Sequence, residues 1–206
     1  MGHGKEVQRQ KLIGMMYLVL MAMLALNTSK EVLNGFVIVE EAVIKTTKNF
    51  AQKNEDVYKE FGEQAALNPT KAGEINELAL EIKEKTSELV EYIQDHKLAM
   101  VRISEGDDTD AIHGREIHSM LIGGKDNTGV PAEYMIGPEN NKVGKELKEK
   151  IIDYKEYLLK LIDEKDEGIR NTIESSLETE PHKTHDGVHS WESTHFEHLP
   201  LAGLLA

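Results

Sequence analysis

The feature that most constrains this chain is an uncharged, strongly apolar stretch near its N-terminus, from Leu12 to Leu26. It reads LIGMMYLVLMAMLAL, whereas 30% of the residues in the whole chain are charged. Basic residues stand on its N-terminal side, namely Lys5, Arg9 and Lys11, and the polar residues Asn27, Thr28 and Ser29 follow it. The pattern is typical of a helix that enters a membrane.

A membrane-spanning helix needs roughly 20 apolar residues, so this stretch is short. Arg9 and Lys11 lengthen it if their aliphatic stems lie along the helix while their charges reach the headgroups. We therefore predict a transmembrane helix over residues 12–28. Residues 1–11 are expected in the cytoplasm, because basic flanks are retained there, and residues 29–206 on the far side of the membrane.

Two other interpretations of the stretch stay open. A cleavable signal peptide also has a basic start and a short apolar run, but Met23 and Ala25 form a poor cleavage site. A buried helix of a soluble domain is the second alternative. The amphipathic pattern resumes at Lys30 without a break, which favours a span that runs straight into a soluble helix.

Charge and composition exclude several classes of partner. The chain has 206 residues and a net charge of −13, which disfavours nucleic acid and anionic membrane surfaces as ligands. It contains no cysteine, so neither a disulfide framework nor a thiol nucleophile is available. The length after the apolar stretch is sufficient for one sizeable domain.

Apolar residues at three- and four-residue steps predict three long helices, over residues 30–61, 70–100 and 145–177. Asn68 and Pro69 stop the first, and Thr70 is expected to cap the second. Pro200 begins PLAGLLA, which is typical of the first turns of a fourth apolar helix, so we expect the chain to continue beyond Ala206. The predicted fold is all-α, an antiparallel four-helix bundle with little or no β-sheet.

The segment from Ser104 to Gly144 differs from the rest. It is rich in Gly, Asp and Asn, and GGKDNTG and IGPENN indicate turns. Its apolar pieces HSMLI and AEYMI fit either a brief hairpin or a half-turn of helix. We interpret the segment as a loop-rich insertion at one end of the bundle.

The motifs that mark common enzymes are missing from the sequence, so we expect no catalytic residue and no cofactor. Five histidines lie close together near the C-terminus: His182, His185, His189, His195 and His198. Their spacing is compatible with zinc, but solvated or helix-capping histidines are the simpler interpretation. Asp107, Asp108 and Asp110 resemble a calcium loop only superficially, since its Gly and final Glu are misplaced. We predict no metal site.

The stretch RQKLIGMMYLVLMAMLALNTSKEVL, from Arg9 to Leu33, resembles the N-terminus of the GldM/PorM family of the Bacteroidota gliding-motility and type 9 secretion motor. SWEST followed by FEHLPLAGLLA, from Ser190 to Ala206, resembles a second landmark of that family. The resemblance implies an inner-membrane protein with a periplasmic helical domain. It also implies a homodimer whose membrane helices lie inside a ring of the partner GldL/PorL.

In such a motor, proton flow at the partner ring is converted into mechanical work that reaches outer-membrane components through the periplasm. The resemblance gives Arg9 the role of pairing with a carboxylate of the ring, and Tyr17 that of a polar residue facing it. A membrane-anchored sensor or scaffold with a periplasmic helical bundle is the competing class. Its ligand pocket would lie in the segment from Ser104 to Gly144.

Overall fold

The computed structural model describes residues 3–138, 143–185 and 187–206, and this part of the chain is mostly helical. Its dominant element is α1 (His3–Leu67), a single helix of 65 residues and about 97 Å in length. The two helices predicted over residues 12–28 and 30–61 are therefore one. Among the described residues, none of the helices combines the length and apolar character required for a membrane span.

The second helix, α2 (Pro69–Glu105), turns back along α1 after Asn68. Pro69 stands at its start, where a missing amide hydrogen costs nothing, so the helix begins just before the predicted cap at Thr70. An ion pair between Lys83 Nζ and Glu55 Oε2, at 2.6 Å, joins the two helices midway along the hairpin. The helices predicted over residues 30–61 and 70–100 are confirmed, and so is their antiparallel direction.

The prediction of one continuous helix over residues 145–177 is wrong. The structure has α4 (Val143–Leu161) and, after a turn, α5 (Glu167–Ser176). In the turn, Asp163 Oδ1 accepts a hydrogen bond from the Lys165 amide at 3.0 Å. The guanidinium of Arg170 donates to the carbonyls of Leu159 and Ile162, at 2.8 and 3.1 Å. Carbonyls left over at the end of α4 are thus satisfied by a side chain from α5, which holds the two helices together.

In the segment from Ser104 to Gly144, the apolar pieces HSMLI and AEYMI form single helical turns and not a hairpin, while a hairpin lies just before them. The segment contains a two-stranded antiparallel hairpin, β1 (Ile112–His113) and β2 (Glu116–Ile117), and a 3-10 turn at Ser119–Leu121. A short helix, α3 (Gly129–Pro131), runs into a π-turn at Ala132–Ile136. A second hairpin, β3 (His182–Thr184) and β4 (Gly187–His189), lies in the histidine-rich stretch, whereas the sequence predicted little or no β-sheet.

The core of the molecule is built around the loop-rich segment rather than between long helices. Two short helices, α6 (Trp191–Phe196) and α7 (Leu201–Leu205), pack there against α2, α3 and α4. The buried cluster draws from all of these elements: Met100, Val101, Ala111, Ile122, Met135, Leu147, Trp191, Phe196, Leu201 and Leu205. We call this compact unit, which comprises the described residues from Leu98 onward, the head.

The four-helix bundle is not confirmed. α1 and α4 both pack on α2, and Thr86 Oγ1 and the Tyr154 hydroxyl are 2.6 Å apart where α4 meets it. The apolar sequence PLAGLLA does form a helix, as predicted, but it is the short α7 inside the core. The amides of Leu201 and Ala202 donate to the carbonyls of Asn127 and Lys125, at 2.9 and 3.1 Å, so the predicted insertion is part of the head.

Candidate functional site

Two regions of α1 carry the features that bear on function. The first is its N-terminal part, which contains the predicted site residues Arg9 and Tyr17. Both side chains are exposed, and Tyr17 keeps 65% of its surface accessible. Helix geometry places them about 12 Å apart along the axis and roughly 80° apart around it. The structure therefore presents them on neighbouring faces of one helix.

Every side chain from Gln8 to Leu24 is exposed, although most of them are apolar. Leu18, for example, keeps 73% of its surface accessible. In sequence, Glu31 is the first acidic residue after Arg9. An apolar surface of this size on all sides of a helix marks a contact with lipid or another protein.

A second apolar surface continues along the same helix. Exposed residues recur there at successive steps of seven, four, seven and seven: Val32, Val39, Val43, Phe50 and Val57. This spacing is that of the a and d positions of a left-handed coiled coil, whose seam faces another helix. We call these five residues the seam. Its exposure shows that the described fold of one chain leaves it uncovered.

The second functional region is the place where α1 meets the head. Leu33, Phe36, Val37 and Glu40 lie on one face of α1, and the last two are buried. Phe36 lies against Gly203 of α7, where an added Cβ would be 3.5 Å from its ring. From α2, Lys97 Nζ donates to the carbonyl of Leu205 at 2.6 Å. We call this meeting point of α1, α2 and α7 the joint.

Glu40 is an unusual residue for such a place because only 4% of its surface is accessible. Burial raises the pKa of its carboxyl group, against the opposing effects of the Ser119 hydroxyl and the Lys97 ammonium, while Glu41 adds to the rise. Burial also lowers the pKa of Lys97, and Glu40 counteracts that shift. The joint therefore holds two ionisable groups of opposite charge in a partly dry environment.

An open cleft of about 770 Å³ lies beside the joint. α1, α2 and the β1–β2 hairpin form its walls, and Glu40, Lys97 and Ser119 are among the lining residues. Lys48 Nζ and Glu116 Oε1 pair at 2.8 Å between α1 and β2. On the opposite side, Gln94 Nε2 donates to the Arg115 carbonyl at 2.7 Å, so both long helices hold the hairpin.

The C-terminal histidines, for which the sequence predicted no metal site, are spread over different elements. His189 is in β4, His195 is in α6, His185 lies in the turn between β3 and β4, and the side chain of His182 is outside the described residues. His195 Nδ1 lies 2.7 Å from the Trp191 carbonyl and its ring packs on the indole. Within the described ranges, no three His, Asp or Glu side chains are grouped so as to hold a metal ion. The aspartates at 107, 108 and 110 are exposed on the turn after α2.

Sequence reasoning missed Glu40, Lys97 and Ser119. A signal for Glu40 was present, because it follows Leu33, Phe36 and Val37 at helical spacing and so continues their apolar face. That carboxylate was given no role from the sequence, because charged side chains are rarely buried. Lys97 and Ser119 gave no comparable signal, since their proximity to Glu40 depends on the tertiary fold.

The fold and these two regions define a class: a long helical stalk, apolar at one end, that is clamped part-way along its length by a compact head. Comparison with protein families matches residues 31–206 to the GldM N-terminal domain, and the chain belongs to this family. Comparison with curated proteins returns no match. Membership of the family indicates involvement in gliding motility and type 9 secretion, together with other components of those systems.

The family match and the predicted membrane motif share only residues 31–33. The motif runs from Arg9 to Leu33, whereas the match begins at residue 31. Arg9 and Tyr17 therefore stand outside the matched range, and their roles stay predictions.

Proposed function

We propose that this chain is a motor subunit that converts proton flow at an inner-membrane partner ring into mechanical work in the periplasm. The observation that carries the proposal is the continuity of α1. One unbroken helix joins the exposed apolar segment, with Arg9 and Tyr17, to the buried joint at Val37 and Glu40. A displacement or rotation of the N-terminal segment therefore reaches the head without passing through a loop.

The proposal places the segment from Leu12 to Leu26 in the bacterial inner membrane, with the N-terminus in the cytoplasm and the head in the periplasm. The apolar stretch alone is about 22 Å long, so its flanks must contribute to the span. Arg9 would then lie near the membrane boundary or inside it. A buried arginine costs about 2.5–3.5 kcal/mol on insertion scales, which favours pairing with a carboxylate of a GldL/PorL-type ring.

Protonation of that carboxylate removes the pairing with Arg9, and this gives the ion pair two states. Tyr17, on a neighbouring face of the helix, would meet the same ring with its hydroxyl. The chain itself needs no catalytic residue, cofactor or metal ion in this scheme. Work then passes through the head to outer-membrane components.

Replacement of Arg9 tests this proposal. We expect Arg9→Ala to abolish gliding and secretion while membrane levels of the chain and its ring partner stay normal. Insertion should survive, because removing a charge makes the helix no harder to insert and Lys5 and Lys11 still bias its orientation. Arg9→Lys should restore function only in part, since a lysine cannot form the two parallel hydrogen bonds of a guanidinium.

Lys11→Ala is the matched control, because it removes a basic charge from the same flank. It should leave gliding and secretion close to the wild-type level. If Arg9→Ala cells move and secrete normally, or if Lys11→Ala is equally damaging, Arg9 acts as a topology signal and not as the coupling residue.

We propose further that the chain works as a homodimer whose two α1 helices meet along the seam. A pair of helices in register would bury the exposed seam positions against each other, as a and d residues do. The sequence contains no cysteine, so single cysteines can be introduced without background. We expect Val43→Cys to form a covalent dimer on mild oxidation in membranes. Lys45→Cys, on the opposite side of the helix, should not, and equal cross-linking at both positions would contradict the seam.

A periplasmic sensor or scaffold is the second candidate, and the cleft beside the joint favours it, because its volume is within the range of small-molecule sites. The two candidates differ in what Arg9 does. A sensor or scaffold keeps its function when Arg9 becomes Ala and loses it when the cleft is filled.

A further inference from the structure

A buried carboxylate oxygen in the joint has no hydrogen-bond partner. Glu40 Oε2 is inaccessible to solvent and makes no hydrogen bond with any residue that the structure describes. The Ser119 hydroxyl, on a residue only 6% exposed, is in the same situation. The two groups are close enough for Ser119 to favour the charged form of Glu40, although the contact lacks normal hydrogen-bond geometry. Such unpaired buried groups are rare and call for an explanation.

Each element packed against Glu40 contributes a charged or polar group to its surroundings. α1 itself contributes Glu41, α2 contributes Lys97, and α7 contributes the Leu205 carbonyl that Lys97 already binds. The segment from Glu116 to Ser119 forms another wall of the cleft, with His118 in its lining and Glu116 paired to Lys48. Lys97 is therefore shared with a backbone carbonyl, and it does not fully compensate the carboxylate.

We propose that Glu40 is a proton-binding site that sets how tightly α1 is held against the head. A neutral carboxyl group would donate a hydrogen bond to the Ser119 hydroxyl and satisfy both unpaired atoms. Lys97 would keep its bond to Leu205. The adjoining cleft gives water, and therefore protons, a route to the site. The joint should be looser when Glu40 is charged and tighter when it is protonated.

The direction of the pH effect follows from linkage. Burial raises the pKa of Glu40, so the folded chain binds this proton more strongly than the unfolded chain does. The resulting stabilisation is complete below the ordinary carboxyl pKa of about 4.5 and is lost as the pH rises through the raised value. Acidification from neutral pH should therefore tighten the joint.

Glu40→Gln tests the proposal, because glutamine resembles the protonated carboxyl group and its amide can donate to Ser119. In the full 206-residue chain in detergent, we expect the variant to raise Tm at pH 7.5 by about 3 °C or more. It should also reduce the difference in Tm between pH 7.5 and pH 5.5. Glu60→Gln removes the same charge from an exposed position on the same helix, about 30 Å along the axis from Glu40, and it should leave that difference unchanged.

Two further measurements do not depend on the stability of the variant. With ¹³C-carboxyl-labelled glutamate, the resonance that disappears in Glu40→Gln should titrate above the usual range for a glutamate. Spin labels at Asn49→Cys and Met120→Cys, diluted with unlabelled chain, should give a distance distribution that narrows at pH 5.5. In Glu40→Gln the distribution should already be narrow at pH 7.5. A Glu40 resonance with an ordinary or lowered pKa, or a distance distribution that is the same at pH 7.5 and pH 5.5, would overturn the proposal.

Discussion

The N-terminal part of α1 and the part of α1 that lies in the joint belong to one helix, yet they differ in how their apolar residues are covered. From Gln8 to Leu24 every side chain is exposed, although the segment is the most apolar in the chain. From Leu33 to Glu40 the face toward the head is covered, and Val37 on that face is completely buried, whereas Ile38 and Val39 on other faces are exposed. Apolar character therefore does not show which surfaces the chain covers itself. The described fold leaves the first region uncovered, whereas α2 and α7 cover the second.

The largest expected effect is on the stability of the head, and it comes from making the same leucine-to-alanine substitution in each of the two regions. Leu201→Ala opens a cavity at a position with no accessible surface, and it should reduce the free energy of unfolding of the head by about 3 kcal/mol. Leu18→Ala removes the same atoms from an exposed position and should change it by less than about 0.5 kcal/mol. The single tryptophan, Trp191, is buried in the head, so its fluorescence during chemical denaturation reports both variants.

Equal losses in the free energy of unfolding of these two variants would contradict the difference between the two regions. They would show that Leu18 packs against the head in solution, and the N-terminal part of α1 would then belong to the folded unit.

A smaller effect is expected where a single carboxylate anchors the loop of the head. Glu105 accepts hydrogen bonds from the amides of Gly123 and Gly124, both at 2.9 Å. Burial by itself would raise its pKa, but these amides, Ser104 and Lys125 outweigh burial and lower it. Glu105→Gln should therefore cost about 1 kcal/mol at pH 7, since the amides lose a charged acceptor.

The pH dependence of that cost has a definite sign. A lowered folded-state pKa gives stability that is present above the ordinary value of about 4.5 and is lost as the pH falls through the lowered value. The difference between Glu105→Gln and the wild type should shrink on acidification. Glu84→Gln, an exposed position on the same helix, should show no loss at pH 7. If both variants behave alike, the carboxylate does not anchor the loop.

The long helices were predictable because their apolar residues repeat at helical spacing, and Asn68 with Pro69 marked the turn between α1 and α2. The break after Leu161 was missed since Leu158, Leu161, Ile169 and Ile173 keep the same period across it. Asp163 and Asp166, in the sequence IDEKDEG, were the available signal for a turn. Periodicity also could not distinguish Val37, which is buried, from Val43, which is exposed.

The head could not be predicted from local patterns. Its core joins residues from α2 to residues a hundred positions later in α7, and hydrogen bonds link α7 to the turn that contains Lys125 and Asn127. Such pairings depend on the whole fold, whereas GGKDNTG in the sequence indicates only a turn. For the same reason, Arg9 and Tyr17 were found by resemblance and not by any pattern of contacts. Glu40 was overlooked because a charged residue was expected to face water.

The unbroken course of α1 also fixes an angular phase between its two ends. Each residue turns an ideal helix by 100°, so Arg9 points about 180° away from Phe36, which faces the head. One residue added between Leu26 and Leu33 would rotate the N-terminal segment by about 100° relative to the head. Seven added residues would move it about 10 Å along the axis and return it to within about 20° of its original direction. In this chain, the direction in which Arg9 points is thus set by residue count as strictly as by side-chain chemistry.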